Sequence, residues 1–300
     1  MASPIVSFTG SHRKKAISKR NDLVQPFLKW AGGKRQLVTK IRECVPRRYN
    51  RYFEPFLGAA AVFFDLQPPQ AVINDANREL INCYKVIKSD PEGLIAHAQK
   101  HSNTKSYYYD LRSRDREPGF ADLPALERAS RIIFLNKTCY NGLFRVNSQG
   151  QFNVPFGNYT NPSIVDEAII RAVSRYLNEA DIEISSEDFA KTLSSAKRGD
   201  FVYLDPPYDP LSDTASFTGY NLINFDKDQQ RRLKVTCDEL HKRGCKILQS
   251  NSNTPFIRNL YSDSSIYNIV KVGANRNINS VAAGRGKINE LLISNYDVEV

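Results

Sequence analysis

Apolar residues along this chain fall into short solid blocks at its two ends and into helical spacing between them. Tyr52-Phe53-Glu54-Pro55-Phe56-Leu57-Gly58 reads as a buried strand that turns at Gly58, and Ala59 to Leu66 as the helix after it. Ala71-Val72-Ile73-Asn74-Asp75 predicts a second strand ending in an acid, and Phe201-Val202-Tyr203-Leu204-Asp205 a third that runs into Pro206-Pro207-Tyr208. Lys246 to Ser250 and Leu291 to Ser294 predict later strands of the same sheet. In the middle, Leu80, Ile81, Tyr84 and Ile87, then Ala129, Ile132, Ile133 and Phe134, recur at helical spacing. From Asn136 to Tyr159 the character changes to Asn, Gly and aromatics, and Phe144-Arg145-Val146 and Phe152-Asn153-Val154 flank Asn147-Ser148-Gln149-Gly150, a hairpin signal. Strands at both ends around a helical and hairpin block predict an α/β sheet domain, 25–78 and 176–300, with an insertion at 79–175.

Composition narrows the class. Three hundred residues, 41% hydrophobic and 25% charged, are ordinary for a globular chain and exclude disorder, collagen and coiled coil. The net charge is +10, and a net +8 of it falls in the first forty residues, which points to phosphate-bearing partners or an anionic surface. Residues 1–24 read as a loose basic tail that equally suits a solvated segment. Five cysteines stand singly, with no C-x-x-C pair, which argues for a reducing compartment and against structural zinc. No apolar run approaches the roughly 18 residues of a membrane span, so a cytoplasmic, nucleoid-associated location with no membrane partner is expected.

Three segments carry candidate chemistry. In the first, Glu54-Pro55-Phe56-Leu57-Gly58 is followed by Asp75. A glycine turn after one strand and an acid at the end of the next suit a ribose-bearing ligand. The G-x-G-x-x-G pattern is absent, which disfavours a dinucleotide; a nucleoside without phosphates and an ordinary strand, turn and capped helix both remain open. In the second, two prolines fix the backbone after Asp205, so the Asp205 carboxylate and the Pro206 carbonyl can stand as paired acceptors beside the flat ring of Tyr208. That set suits an exocyclic amine: two acceptors hold its two hydrogens, the ring stacks on the heterocycle, and the nitrogen is favoured in a more pyramidal form as a new bond grows. In the third, Phe27-Leu28-Lys29-Trp30-Ala31-Gly32-Gly33-Lys34 offers backbone donors and positive charge to a carboxylate or phosphate, without the spacing of a phosphate loop.

These three segments, in this order, resemble the DNA adenine N6-methyltransferases of the Dam type (D12 class, alpha group), above all the branch that modifies GATC beside restriction systems. The matching runs are Phe27 to Leu37, Tyr52 to Leu66, Val72 to Tyr84, Tyr140 to Tyr159, Phe201 to Tyr220 and Gly284 to Asn295. The resemblance implies a Rossmann-like methyltransferase sheet, S-adenosyl-L-methionine as donor, an inserted target-recognition domain at 79–175, double-stranded DNA as partner, no metal, a possible cognate restriction endonuclease, and a monomer or weak dimer. By position, Trp30, Lys34, Glu54, Pro55, Phe56, Gly58, Asp75, Asp188 and Phe189 are similar to cofactor-pocket residues. Asp205, Pro206, Pro207 and Tyr208 match the catalytic motif, Asp205 lying beside the cofactor as well. Ala60 departs from the family, which usually has a second glycine there.

The same resemblance assigns Lys29, Lys137, Tyr140, Asn141, Leu143, Arg145, Asn153 and Pro155 to DNA, with Tyr140, Leu143, Arg145 and Pro155 matching positions that intercalate and read GATC. The chemistry agrees: arginine reads guanine O6 and N7, leucine and proline suit a thymine methyl, and an aromatic fills the gap left by an extruded base. Without the resemblance, half of these aromatics suit a small hydrophobic cluster. The reading is base extrusion, stacking on Tyr208 and direct attack of N6 on the donor methyl. A cytosine C5 enzyme is excluded because no cysteine follows a proline. An RNA adenine methyltransferase and a DNA-binding protein with a vestigial site are the alternatives.

Overall fold

The computed structural model describes residues 20–30, 34, 37–210, 225–275 and 287–298. In chain order the elements that position the site are α1 (Val38–Cys44), β1 (Tyr52–Glu54), α2 (Ala61–Leu66), β2 (Gln70–Asn74), α3 (Arg78–Ser89), α4 (Pro91–Ala98), α5 (Lys105–Ser113), α6 (Ala125–Thr138), α7 (Glu167–Glu179), β3 (Asp181–Ser185), α8 (Phe189–Leu193), β4 (Phe201–Leu204), α9 (Lys227–Lys242), β5 (Lys246–Ser252), α10 (Pro255–Leu260), β6 (Asn268–Asn275) and β7 (Lys287–Ser294).

Among the described residues the strands form one sheet in the order β3-β2-β1-β4-β5-β7-β6. β1 to β5 are mutually parallel, and β7 runs antiparallel between β5 and β6. Successive side chains of a strand face opposite ways, and the sheet uses both faces. Tyr52, Ala71, Ile73, Phe201, Tyr203 and Leu248 pack with residues of α1, α2, α3, α6 and α7. Phe53, Val72, Val202, Leu204, Ile247 and Leu291 pack under α8, α9 and α10. Burial on both faces is why β1, β2 and β4 read as solid apolar blocks rather than alternating ones.

Helix starts are capped where the chain supplies a short polar acceptor. Asn77 accepts the Leu80 N–H before α3, Asp166 the Ile169 N–H before α7, and Asp226 two N–H groups before α9. The passage from β2 to β3 carries all of α3 to α7, and α3, α6 and α7 share one apolar core with the sheet. The hairpin segment is less regular than its sequence suggests: Cys139 bridges Phe156 and Val146 bridges Phe152 as isolated pairs, not as a continuous ladder.

Residues 1–19, most of the expected tail, lie outside the described residues. Its last positions are docked: Arg20 pairs with Asp65 at 3.1 Å, Asn21 exchanges two hydrogen bonds with the side chain of Gln67, and Val24 is buried in the core. All five cysteines are buried and free. No helix among the described residues is long and apolar enough to cross a membrane.

His101, just beyond α4, supplies a pH-dependent brace to the helical block. Its two ring nitrogens bond the Tyr107 hydroxyl at 2.7 Å and the Ser130 hydroxyl at 2.8 Å, and the ring lies on Phe134. Burial, then the neighbouring His97 and Arg114, push its pKa down to about 4. The folded chain therefore binds fewer protons than the unfolded one between the ordinary histidine value and 4, and this contribution to stability is lost as pH falls through that window. Thermal unfolding of the native chain and of His101→Gln, followed from pH 7 to 4, is expected to show the native midpoint falling more steeply; parallel curves would remove this role.

Candidate active site

The site is built at the carboxyl ends of β1, β2 and β4, where open α/β sheets bind ligands. β1 lies between the other two, so Glu54 at its end, Asp75 just past β2 and Asp205 just past β4 come to the same rim.

Asp205 is held by Lys34, whose ammonium lies 2.8 Å from Oδ1. The Lys34 side chain is buried, and its Nζ also stands 4.6 Å from the centroid of the Tyr208 ring. Burial pushes the Asp205 carboxyl above its ordinary value, Lys34 opposes that, and Glu290 adds to it. Glu290, on β7, accepts the Tyr208 hydroxyl at 2.7 Å, and burial raises the Tyr208 phenol well above its ordinary value, so it stays a donor. The loop beyond is strapped from behind. Gln230 of α9 donates to the Pro207 carbonyl at 2.8 Å and accepts from Asn251, and Ser252 donates to the Asp209 carbonyl at 2.7 Å. One face of Tyr208 thus carries an ammonium, its tip is tied to Glu290, and the proline turn is fixed to α9.

The Gly58 turn is equally determined. Gly58 has φ +51°, and a Cβ there would lie 3.0 Å from Trp30 Cδ1. Its N–H donates to Asp75 Oδ2 at 2.9 Å, Asn77 N–H donates to Oδ1 at 2.9 Å, and the Tyr84 hydroxyl donates to the Gly58 carbonyl. Burial raises the Asp75 carboxyl, and these two backbone donors oppose the shift. Ala60 takes the left-handed conformation with φ 60°, where its methyl costs about 1–2 kcal/mol, so the conformation a glycine would supply is present without the glycine. The Pro55 carbonyl accepts Asn74 Nδ2 at 3.1 Å. The Phe56 ring meets Phe189 at 5.5 Å and Phe225 at 5.6 Å.

Asp188 is placed differently from Phe189. Its carboxylate caps α8 and pairs with the Arg232 guanidinium at 2.8 and 2.5 Å, which pulls it below the usual carboxylate range. It is the ring of Phe189, not this carboxylate, that joins the aromatic cluster with Phe56.

The predicted DNA residues gather around the end of α6. Lys137 is in its last turn, and Tyr140, Asn141 and Gly142 form a tight turn in which Asn141 and Gly142 have positive φ. Tyr140 is 54% exposed, large for an aromatic, and its N–H donates to the Pro155 carbonyl at 2.9 Å. Arg145 donates through Nε to Asn153 Oδ1 at 2.8 Å and through a terminal nitrogen to the Asn153 carbonyl at 3.2 Å. Leu143 is half-buried and Pro155 exposed. Lys29 lies against this turn with its ammonium 5.1 Å from the Tyr159 centroid, and Trp30 stacks on Phe144 at 4.7 Å. Nothing in the sequence singles out Glu290, Gln230, Phe225 or Asn136. Glu290 lies in a matching run, but nothing local marks it; the others serve through contacts made only on folding.

A ribose-bearing ligand with a cationic centre suits this donor set: a glycine cradle, a carboxylate steadied by backbone donors, an aromatic cluster and a carboxyl-rich rim. Among the described residues no group of three or more His, Cys, Asp or Glu side chains is placed to hold a metal ion.

Such a sheet, carrying a D-P-P-Y turn after β4, is that of a Rossmann-like S-adenosylmethionine-dependent methyltransferase. Residues 30–278 match the model of the D12 class N6 adenine-specific DNA methyltransferases, and the chain belongs to that family of enzymes. It is 46% identical to the type II methyltransferase M1.LlaDCHI of Lactococcus lactis subsp. cremoris over 93% of this chain and 98% of that one. It is 41% identical to the type II methyltransferase M.MjaIII of Methanocaldococcus jannaschii over 91% of this chain and 99% of that one. It is 33% identical to the DNA adenine methylase of Escherichia coli strain K12, covering 89% of this chain and 93% of the relative.

Glu54 gives the site a pH signature. It is 2% exposed, and burial, with Asp205 and Asp75 adding to it, raises its pKa to about 8 against the opposing hydrogen bond from Tyr52. The folded chain then holds a proton that the unfolded chain releases, so this contribution is present below the ordinary glutamate value and is lost as pH rises through 8. Glu54→Gln is expected to abolish that alkaline loss. Unfolding midpoints of the two chains from pH 5 to 9 check it, and a constant difference would show Glu54 ionised throughout.

Proposed function

We propose that the chain transfers a methyl group from S-adenosyl-L-methionine to N6 of adenine within GATC in duplex DNA, with the target base extruded into the D-P-P-Y pocket. The observation that carries this reading is the Lys34–Asp205–Tyr208–Glu290 cluster at the end of β4, one strand away from the Gly58 turn and two from Asp75, which that turn holds. The donor, when bound, supplies an electrophilic methyl on a sulfonium sulfur.

This chain's residues do the rest. Asp75 offers the ribose hydroxyls its remaining lone pairs, the backbone at Gly58 leaves room for close approach, and Phe56 and Phe189 provide a flat apolar wall for the donor's purine. Trp30 and Lys34 close the pocket over the Gly58 turn and beside Asp205. Asp205 and the Pro206 carbonyl accept the two N6 hydrogens, and the adenine ring stacks on the Tyr208 face opposite Lys34. Lys34 opposes the upward push of burial on the Asp205 carboxyl and so favours its ionised, accepting form. N6 would gain the methyl as the methyl–sulfur bond breaks and leaves its electron pair on the sulfur of the spent donor, and N6 would give up one hydrogen as a proton past the Asp205 carboxylate to water; most of the rate enhancement comes from position and from preorganised acceptors.

Residues 25–78 and 176–300 form the methyltransferase part in this reading, and 79–175 the target-recognition part. Tyr140 fills the space of the extruded base, Leu143 and Pro155 contact a thymine methyl, and Arg145 reads a guanine. Asn153, already bonded to the guanidinium, holds Arg145 in reading position, and Lys29, Lys137 and Asn141 border the same surface. The relatives named as type II methyltransferases support a place beside a restriction endonuclease.

Incubation with labelled donor and duplexes carrying GATC, GANTC or a scrambled site tests the reading. Label is expected on GATC alone, and equal labelling of all three would sink the target assignment. Arg145→Ala is expected to relax discrimination at a guanine by about 1–3 kcal/mol, and Asn153→Ala to do the same in part. An equal loss on every sequence would make Arg145 a phosphate contact instead.

A further inference from the structure

Asn136 has no exposed surface and joins two segments more than a hundred residues apart in sequence. Its Oδ1 accepts the Lys29 N–H at 2.9 Å, and its Nδ2 donates to the Lys29 carbonyl at 2.7 Å and to the Gly142 carbonyl at 3.1 Å. An asparagine amide is suited to this, because it offers one acceptor and two donors in a single plane. Trp30, next to Lys29, borders the Gly58 turn, while Gly142 closes the turn that carries Tyr140 and Leu143.

Two further contacts run beside the amide. At Gly142 a Cβ would come 2.3 Å from Lys29 Cδ, so the Lys29 side chain lies directly across this glycine and leaves no room for another side chain there. One residue on, Trp30 stacks on Phe144 at 4.7 Å with an interplanar angle of 23°. Trp30 in turn occupies the space beside Gly58, whose N–H is bonded to Asp75. The contacts are continuous from the Asp75–Gly58 turn through Trp30 and Asn136 to the recognition turn.

We propose that Asn136 is a positioning residue that couples the cofactor pocket to the DNA-recognition turn, so that donor-type ligand and cognate duplex each tighten the binding of the other. The inference rests on the functional reading above. A ligand that restrains Trp30 and the Gly58 turn restrains Lys29, and through the Asn136 amide it restrains the Gly142 carbonyl; the second ligand then meets a turn already ordered and spends less on ordering it. By linkage the enhancement is the same whichever ligand binds first.

The test uses the full chain with S-adenosylhomocysteine, which cannot transfer a methyl group, together with GATC and scrambled duplexes. In the native chain the probe alone is expected to slow amide hydrogen exchange at the Gly58 turn and across 140–157, and to tighten GATC binding about fivefold or more. In Asn136→Ala the probe still protects the Gly58 turn, but protection of 140–157 disappears and the enhancement falls to about twofold or less. Phe144→Leu, which removes the ring stack and leaves the amide alone, is expected to lower the enhancement in part, and it decides the matter with the native chain if Asn136→Ala does not fold. A native chain that binds the probe with no change over 140–157 and no gain in duplex affinity overturns the proposal, as does an unchanged enhancement in the variants. A native chain that binds no probe, or that binds GATC no better than scrambled DNA, fails in a different way and brings down the functional reading with it.

Discussion

Placing β1 between β2 and β4, all three parallel, drives three carboxyl groups to one rim, where Glu54 is buried and Asp75 and Asp205 are half-buried. Three like charges brought this close disfavour one another's ionisation unless each finds a partner, and the way each is settled organises the site. Glu54 keeps its proton, with a pKa near 8. Asp75 is steadied by the N–H groups of Gly58 and Asn77, which ties the shape of the glycine turn to the position of the acid. Asp205 takes the buried ammonium of Lys34, and this places a cation on Tyr208. Removing any one solution would leave an unpaired charge beside the other two.

The central strands were legible in the sequence because both their faces are covered, which makes β1, β2 and β4 solid apolar runs. β3 and β6 were not, and they are the two edges of the sheet. Asp181-Ile182-Glu183-Ile184-Ser185 alternates polar and apolar residues, and Asn268 to Asn275 mixes Lys271 and Gly273 into its apolar positions, so neither has the block pattern of a central strand. Of the candidate site, Asp75, Gly58, Asp205 and Tyr208 were legible because strand ends and paired prolines mark positions where a carboxylate and a fixed backbone come to the rim of the sheet. Asn136, Glu290 and Gln230 act through partners distant in sequence, and an isolated polar residue carries no local trace of that. Asp188 shows the converse: its sequence position suggested the pocket, whereas its carboxylate is spent on Arg232.

The segment from Phe144 to Val154 departs from a regular hairpin because its polar side chains take over work that a ladder would do. Asn147 receives the N–H groups of Gln149 and Gln151, Asn153 holds Arg145, and Asp115 accepts the Phe152 N–H. A surface shaped by side chains rather than by paired strands presents Tyr140 and Pro155 outward while Phe144 and Phe152 stay in the core. The basic charge that first suggested only an anionic partner is thereby divided: Lys34 serves the acids of the rim, and Lys29, Lys137 and Arg145 line the turn.

The most direct measurement is methyl transfer from labelled donor to a GATC duplex by Asp205→Asn, with S-adenosylhomocysteine and duplex affinities taken on the same preparation. The account predicts that transfer falls about a hundredfold or more while both affinities stay within about tenfold of the native chain, because the lost charge acts mainly as N6 gives up its proton. Native rates of transfer by that variant would contradict it.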